Sequence, residues 1–358
     1  MGSQRTYSGI STKIRSMRSR LLTDKDYENL AQLSSVAEAV EFLRQKPGFR
    51  EAFASLDERT MHRSVIEGLL LYSEYYDFVK IYRFSGFEVR RFLDVYFLGF
   101  ERSYLKSAIR AVVDHRESDI QIKSLGSFFE KHASFDCARL SEAKTLDEFV
   151  AALQNSPFYP YLHPLLGQSG VTLFDYEMAM DYCVFGNMWR QYKKHFDKEA
   201  TQTLCRSYGC QFDLTNLMWI YRSKKYYEMD KTDIYKVLLP IHYKLNKTVI
   251  KNMVEAGSKE EFLDLMRNTY YGTKYVVNLE REEDGFYIEQ IYHALLSHIH
   301  NREFRNHPFS VASASAYLHM KHTETERLTT TIEGIRYGLP PQEIVAHEKK
   351  YNLEVLYK

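Results

Sequence analysis

The sequence predicts an all-α protein of three similar helical domains in tandem, and three observations predict it. A Ser or Thr followed three residues later by Glu opens an apolar run at Ser35/Glu38, Thr145/Glu148 and Ser258/Glu261, spaced 110 and 113 residues apart. A second pattern places an acid, a Leu four residues on and a large side chain four further. It recurs as Glu101, Leu105, Ile109, then Asp213, Leu217, Tyr221, then Glu324, Leu328, Ile332, with the acids 112 and 111 residues apart. Gly (16) and Pro (8) are scarce in 358 residues, which leaves few chain breaks and favours long helices. Two independent patterns on one period of about 111 residues point to triplication.

The elements follow in order. Ile10, Ile14, Met17 and Leu21 form one stripe of an opening helix, whose other side carries Arg5, Lys13, Arg15, Arg18 and Arg20 with no acid before Asp24. A basic amphipathic helix can pack with its charged face outward or lie on an acidic surface, and Arg15, Arg18 and Arg20 are the candidate partner contacts. The Ser/Thr-x-x-Glu signature is a capping box, in which the hydroxyl accepts from the N3 amide and the Glu returns to the cap's own N–H. The apolar positions behind it have helical spacing: Val36, Ala39, Val40 and Leu43; Phe149, Val150 and Leu153; Phe262, Leu263 and Met266. Longer helices are predicted over 73–84 and 88–100, with counterparts over 176–196 and 286–304. In the second pattern, steps of four residues put Leu105 with Ile109, Leu217 with Tyr221 and Leu328 with Ile332 on shared faces. Breaks are expected at Ser85-Gly86, Asn155-Ser156-Pro157, Gly167-Gln168-Ser169-Gly170, Tyr271-Gly272-Thr273 and Asn306-His307-Pro308. One extended segment is expected from Lys274 to Leu279. The repeat units are read as 1–120, 121–232 and 233–358, sharing interfaces in a continuous curved body.

Composition narrows the function. Apolar residues make up 44%, enough for buried cores, and 28 Tyr with 22 Phe must supply much of their area. Formal net charge is +1, so no global field argues for nucleic acid. No apolar run is long enough to span a bilayer and no signal peptide opens the chain, which points to a cytoplasmic protein that meets a membrane through a partner. Cys137, Cys183, Cys205 and Cys210 have neither disulfide-framework nor zinc spacing and read as reduced, packed thiols.

Chemistry-bearing motifs are missing: there is no phosphate-binding Gly loop, dinucleotide fingerprint, zincin helix, nucleophile elbow or calcium loop. Among His293, His298, His300 and His307, helical geometry points His298 and His300 to opposite sides and sets His293 and His300 about 10 Å apart along the axis, so neither pair chelates one metal. Glu280, Glu282, Glu283 and Asp284 form an acidic knot, read as a solvated loop or a dock for a basic partner. No catalytic, cofactor or metal residue is therefore assigned. Arg110 and Arg222 follow Glu101 and Asp213 by nine residues, on the opposite side of the same helix, so acid and base would pair only between units. Glu101, Arg110, Asp213, Arg222 and Glu324 are the candidate inter-repeat residues, and Glu333 ends the series.

Three segments resemble a known family. Phe212-Asp213-Leu214-Thr215-Asn216-Leu217, followed by Tyr221-Arg222-Ser223-Lys224-Lys225-Tyr226, is similar to the repeated acid-x-x-Asn-Leu…Arg helix of the C/d subunits of V-type and A-type rotary ATPases. Glu324-x-Glu326-Arg327-Leu328, Ile332-Glu333-Gly334 and Gly338-Leu339-Pro340-Pro341-Gln342-Glu343-Ile344 resemble that family's ending. Thr12-Lys13-Ile14-Arg15-x-Met17 and Leu21-Leu22-Thr23-x-x-Asp26-Tyr27-x-x-Leu30 resemble its opening, and the pattern is closer to the bacterial and archaeal type. Asn216 is replaced by Tyr104 and Arg327 in the other units, and Arg222 by Glu333 in the third. The resemblance implies a funnel-like body between the central shaft of the ATPase head and the membrane proteolipid ring. It implies a non-catalytic rotor subunit, one copy per complex, that couples ATP turnover to ion transport and binds no cofactor or nucleic acid. The alternative is a generic helical repeat scaffold for protein partners.

Overall fold

The computed structural model describes residues 2–54, 56, 61–116, 122–275 and 287–348. Among them are nineteen α-helices and no strand. Helices α1 (Gly2–Arg18), α2 (Asp24–Ala31), α3 (Val36–Gln45) and α4 (Arg50–Phe53) lead to a long pair, α5 (Arg63–Phe84) and α6 (Phe87–Val113). Short helices α7 (Ile122–His132), α8 (Cys137–Glu142), α9 (Leu146–Ala152) and α10 (Tyr159–Leu162) precede α11 (Leu173–Lys194) and α12 (Lys198–Lys225). Then come α13 (Lys231–Val237), α14 (Lys247–Glu255), α15 (Lys259–Arg267) and α16 (Tyr270–Tyr275), the long α17 (Tyr287–Asn306) and α18 (Val311–Arg336), and α19 (Pro341–Glu348).

The second sequence pattern lies inside the longest helices. Glu101, Asp213 and Glu324 sit mid-helix in α6, α12 and α18, so the stretch 88–100 and the pattern behind it are one continuous helix. Breaks occur at Ser85-Gly86, at 155–157, at 167–170 and at 306–308. Tyr271-Gly272-Thr273 does not break the chain but lies within α16. Lys274 and Tyr275 end that helix instead of starting an extended segment, and 276–279 lie outside the described residues, as does the acidic knot 280–284.

The capping expectation holds in its forward half and differs in its return. Ser35, Thr145 and Ser258 each accept from the amide of the Glu three residues on, at 3.2, 3.3 and 3.1 Å. Each Glu reaches one residue past the cap, accepting from the amides of Ser34, Lys144 and Gly257 at 2.8, 2.8 and 2.6 Å. The extra methylene of Glu accounts for the shift. At Thr23 the N3 residue is the shorter Asp26, and its carboxylate accepts from the cap's own N–H at 2.8 Å.

By contact the chain forms two compact units, residues 43–191 and residues 1–42 with 192–358. The first is held by aromatic packing. Tyr75 and Phe78 of α5 face Phe97 and Phe100 of α6, with Phe128 and Phe129 of α7 closing the cluster at centroid distances of 5.1–6.4 Å. An ion ladder joins α6 to α11. Asp181 takes Arg102 at 3.2 Å and Lys106 at 2.7 Å, and Glu177 holds Arg110 through two bonds of 2.6 and 3.0 Å. Gly126 interrupts α7 at φ 71°, a left-handed conformation that glycine adopts without strain.

In the second unit α12, α17 and α18 pack on one another, and α1, α2 and α19 pack against α18. Ile10, Ile14 and Met17 of α1 are buried, and Ser11 donates to the carbonyl of Pro308 at 2.6 Å. Gly272 is needed for a close approach: a Cβ there would stand against the Met266 carbonyl and 2.6 Å from that of Arg267. Gly272→Ala is expected to lower unfolding stability by about 2–3 kcal/mol, read from the denaturant midpoint at unchanged m-value, because the obstructing atoms are backbone.

Candidate functional site

A carboxylate on the apolar side of a helix is costly to bury unless donors meet it. Glu101, Asp213 and Glu324 are each 4% exposed or less. Each accepts from at least one backbone amide of a connector, and none from an arginine of the repeat. Asp213 accepts from the amides of Tyr243, Lys244 and Leu245 at 3.0, 2.6 and 3.1 Å and from the Tyr271 hydroxyl at 2.8 Å. Glu101 accepts from the amide of Ser134. Glu324 accepts from the amide of Leu22 at 2.6 Å and from the buried Lys321 ammonium at 2.6 Å. The expected pairing of acid to base between units is therefore not what these side chains do. Arg110 binds Glu177, and none of the three acids meets Arg110 or Arg222.

The position three residues after each acid contacts the same connector. Asn216, fully buried, donates to the Leu239 carbonyl at 3.0 Å and accepts from the Leu239 amide at 2.8 Å. Tyr104 stacks on Phe135 with centroids 6.1 Å apart. Arg327 lies 3.7 Å over the Tyr27 ring and bonds Asp24 at 3.1 Å. Three chemistries thus do one job: a helix side chain and the acid one turn before it grip a connector. Glu101 and Ser134 lie either side of residue 120, Asp213 and Tyr243–Leu245 either side of 232. Glu324, near the chain's end, holds Leu22, near its start. Residue Leu22 is where a connector about 31 residues after Glu324 would fall if the sequence were closed after three periods.

The electrostatics of the clamps differ. Burial pushes the Glu101 carboxyl up to about 7, with the Ser134 amide opposing; one of its oxygens has no hydrogen-bond partner. Burial raises Asp213 as well, against the Lys244, Tyr243, Tyr271 and Leu245 donors that favour its ionised form. Tyr271, buried beside Asp213, is pushed far above its usual range by burial.

Arg15, Arg18 and Arg20 are exposed, and Arg18 lies 5.1 Å over the Phe304 ring. Arg222 ends α12 beyond the clamp. The cysteines are free, and burial raises the thiols of Cys183 and Cys210 to about 12. His300 is buried, stacked on His319 at 4.1 Å, and burial holds its imidazole down to about 3. No group of three or more metal-ligating side chains exists among the described residues. No described helix is long and apolar enough to cross a membrane. Sequence reasoning missed Lys224, which caps α14 by donating to the carbonyls of Val254 and Ala256 at 2.8 and 2.6 Å. It also missed Tyr271 as a donor. A lysine inside a Lys-Lys pair carries no mark of which one turns inward.

The described residues form an all-helical fold whose buried acids Glu101, Asp213 and Glu324 join helices to connectors. Residues 10–347 match the ATP synthase (C/AC39) subunit family, and the chain belongs to it. Relatives include the C subunit of the A-type ATP synthase of Pyrococcus abyssi, 25% identical over 352 residues with 94% of this chain and 89% of the relative covered. That of Thermococcus kodakarensis is 24% identical over 342 residues, and that of Methanocaldococcus jannaschii 23% over 358, covering 94% of this chain and 89% and 85% of theirs.

Proposed function

We propose that this chain is the non-catalytic central-stalk adaptor of a V/A-type ATPase, linking the rotating shaft of the soluble head to the membrane proteolipid ring and passing torque between them. The family match over residues 10–347 carries the reading. The clamps support it physically. A part that transmits torque must resist bending where helices meet connectors, and there Asp213, Glu101 and Glu324 replace flexible loops with buried charge-assisted bonds. Three repeats of about 111 residues remain the proposed units of architecture, the last completed by the N-terminal segment held at Glu324, in a funnel-like body present once per complex. The exposed Arg15, Arg18 and Arg20 are proposed to meet a protein partner.

Capture of the chain from detergent-solubilised membranes of its source, with mass spectrometry of what accompanies it, tests this. Recovery of shaft subunits and a proteolipid is the expected result. Recovery of soluble unrelated proteins alone, with intact ATPase present in the same extract, sinks the rotor assignment and favours a general helical scaffold.

A further inference from the structure

The turn between α5 and α6 exposes two phenylalanines in a basic collar. Phe87 is 73% and Phe84 55% accessible, although the same hairpin buries Phe78, Phe92, Phe97 and Phe100. Residues 80–91 carry Lys80, Arg83, Arg90 and Arg91 against the single acid Glu88 in a chain of net charge +1. The Arg83 guanidinium makes no hydrogen bond or ion pair among the described residues. Arg90 donates to the carbonyls of Tyr82 and Arg83 at 3.2 and 3.4 Å and meets no carboxylate among the described residues. Arg91 lies 5.7 Å over the Phe87 ring and 3.5 Å from Glu88. Local positive charge with outward apolar rings is the composition of a segment that sits in an anionic bilayer interface.

The composition recurs at the turns of the other long pairs. In sequence Lys193, Lys194 and Lys198 flank Phe196 between α11 and α12, although that ring is half-buried against Tyr192 and Asp197 and Glu199 stand beside it, and Arg305 and His307 precede the exposed Phe309 between α17 and α18. These two turns touch each other, His307 lying 3.1 Å from Glu199.

We infer that the α5–α6 turn contacts the anionic headgroup surface of a bilayer, with Phe84 and Phe87 entering the interface and Arg83, Arg90 and Arg91 facing lipid phosphates. A bilayer fits better than an acidic protein because the rings stand out on a two-residue turn. A fluid interface accepts a protruding ring without a matching pocket, whereas a folded partner must supply one. With no spanning helix among the described residues, the contact is peripheral.

The test is co-sedimentation of the full chain with vesicles of phosphatidylglycerol and phosphatidylcholine in equal parts, and with phosphatidylcholine alone, at about 0.1 M salt. The chain is expected to partition onto the anionic vesicles and to be released as salt rises. The double variant Phe84→Ser, Phe87→Ser is expected to lose roughly tenfold in partition. Arg83→Gln is expected to lose a few-fold, and Phe174→Ser, at a ring 54% accessible on α11, to bind as the parent does. Circular dichroism shows whether each variant is folded. No partition onto either vesicle, equal partition onto both, or undiminished partition of the double variant overturns the inference. Capture of ATPase subunits by the double variant reports separately on the rotor assignment.

Discussion

Asp213→Ala is expected to remove about 4 kcal/mol of stability, a large part of the 5–15 kcal/mol a folded domain commonly has. The substitution leaves the amides of Tyr243, Lys244 and Leu245 and the Tyr271 hydroxyl facing a void. Each buried donor left unsatisfied costs about 1–3 kcal/mol, and the effects do not add fully because water can reach the half-buried side of Tyr243. Relief of the carboxylate's own burial offsets part of the loss, since Asp213 is held above the usual aspartate range despite four donors. Asp213→Asn keeps one acceptor oxygen but aims an NH2 at amide hydrogens, so it is expected to fall between Ala and the parent. Chemical denaturation read by far-UV circular dichroism measures both, and amide exchange at 243–245 shows whether the connector is released before the unit unfolds. If Asp213→Ala unfolds within 1 kcal/mol of the parent, the clamp is not a major support.

In the rotor setting this loss has a mechanical meaning. A connector held by three amide bonds to one buried carboxylate, itself braced by the Tyr271 hydroxyl of α16, moves with α12 as one piece. With the carboxylate gone, the connector can lag behind the helix under load. A complex carrying a folded but loosened variant is expected to hydrolyse ATP while moving fewer ions per turnover. This follows from the proposed adaptor role and fails with it.

Much of the fold is legible in the sequence because the relevant signals are local. Ser35, Thr145 and Ser258 announce helix starts through a hydroxyl and an acid at fixed spacing, which needs no tertiary partner. Ser85-Gly86 and Asn306-His307-Pro308 mark turns for equally local reasons. Glu101, Asp213 and Glu324 stand out for recurring beside apolar positions. Their partners cannot be read, because a backbone amide has no residue type. Spacing alone therefore points to Arg110 and Arg222, whereas Arg110 meets Glu177, whose position carries no recurring pattern. Gly272 departs from its expected turn for a related cause: it lies in a helix, and its requirement comes from the Met266 and Arg267 carbonyls packed against it. The equivalence of Tyr104, Asn216 and Arg327 is invisible to residue similarity, since stacking, amide bonding and cation–π contact share no chemistry.

Glu101 makes the weakest-served clamp and should give the protein a distinctive pH dependence. Its folded carboxyl titrates near 7, against 4.5 for the unconstrained group, because burial opposes ionisation and the Ser134 amide returns only part of the loss. Around it lie Ser134 and the thiols of Cys137 and Cys183, both raised chiefly by burial, with Glu101 adding to each and Glu130 to Cys137, and no cation among the described residues pairs with it. Below pH 4.5 the carboxyl is protonated folded and unfolded, so the favourable state is fully present. Between pH 4.5 and about 7 the folded chain keeps a proton that the unfolded chain has lost, and stability falls by about 1.4 kcal/mol per pH unit. Above that range the penalty levels off at about 3 kcal/mol. His300 acts with the opposite sign: burial lowers its pKa from 6.5 to about 3, so its contribution is present above pH 6.5 and is lost as pH falls. The whole-protein profile mixes these with other shifted groups such as Asp213 and His319, and the difference between parent and Glu101→Gln isolates the carboxyl. The variant is expected to match the parent near pH 4.5 and to become more stable than it by about 3 kcal/mol at pH 8. Parallel denaturation curves of the two chains across that range, with no divergence as pH rises, would show that Glu101 is ionised at no unusual cost and that its partnerless oxygen finds water.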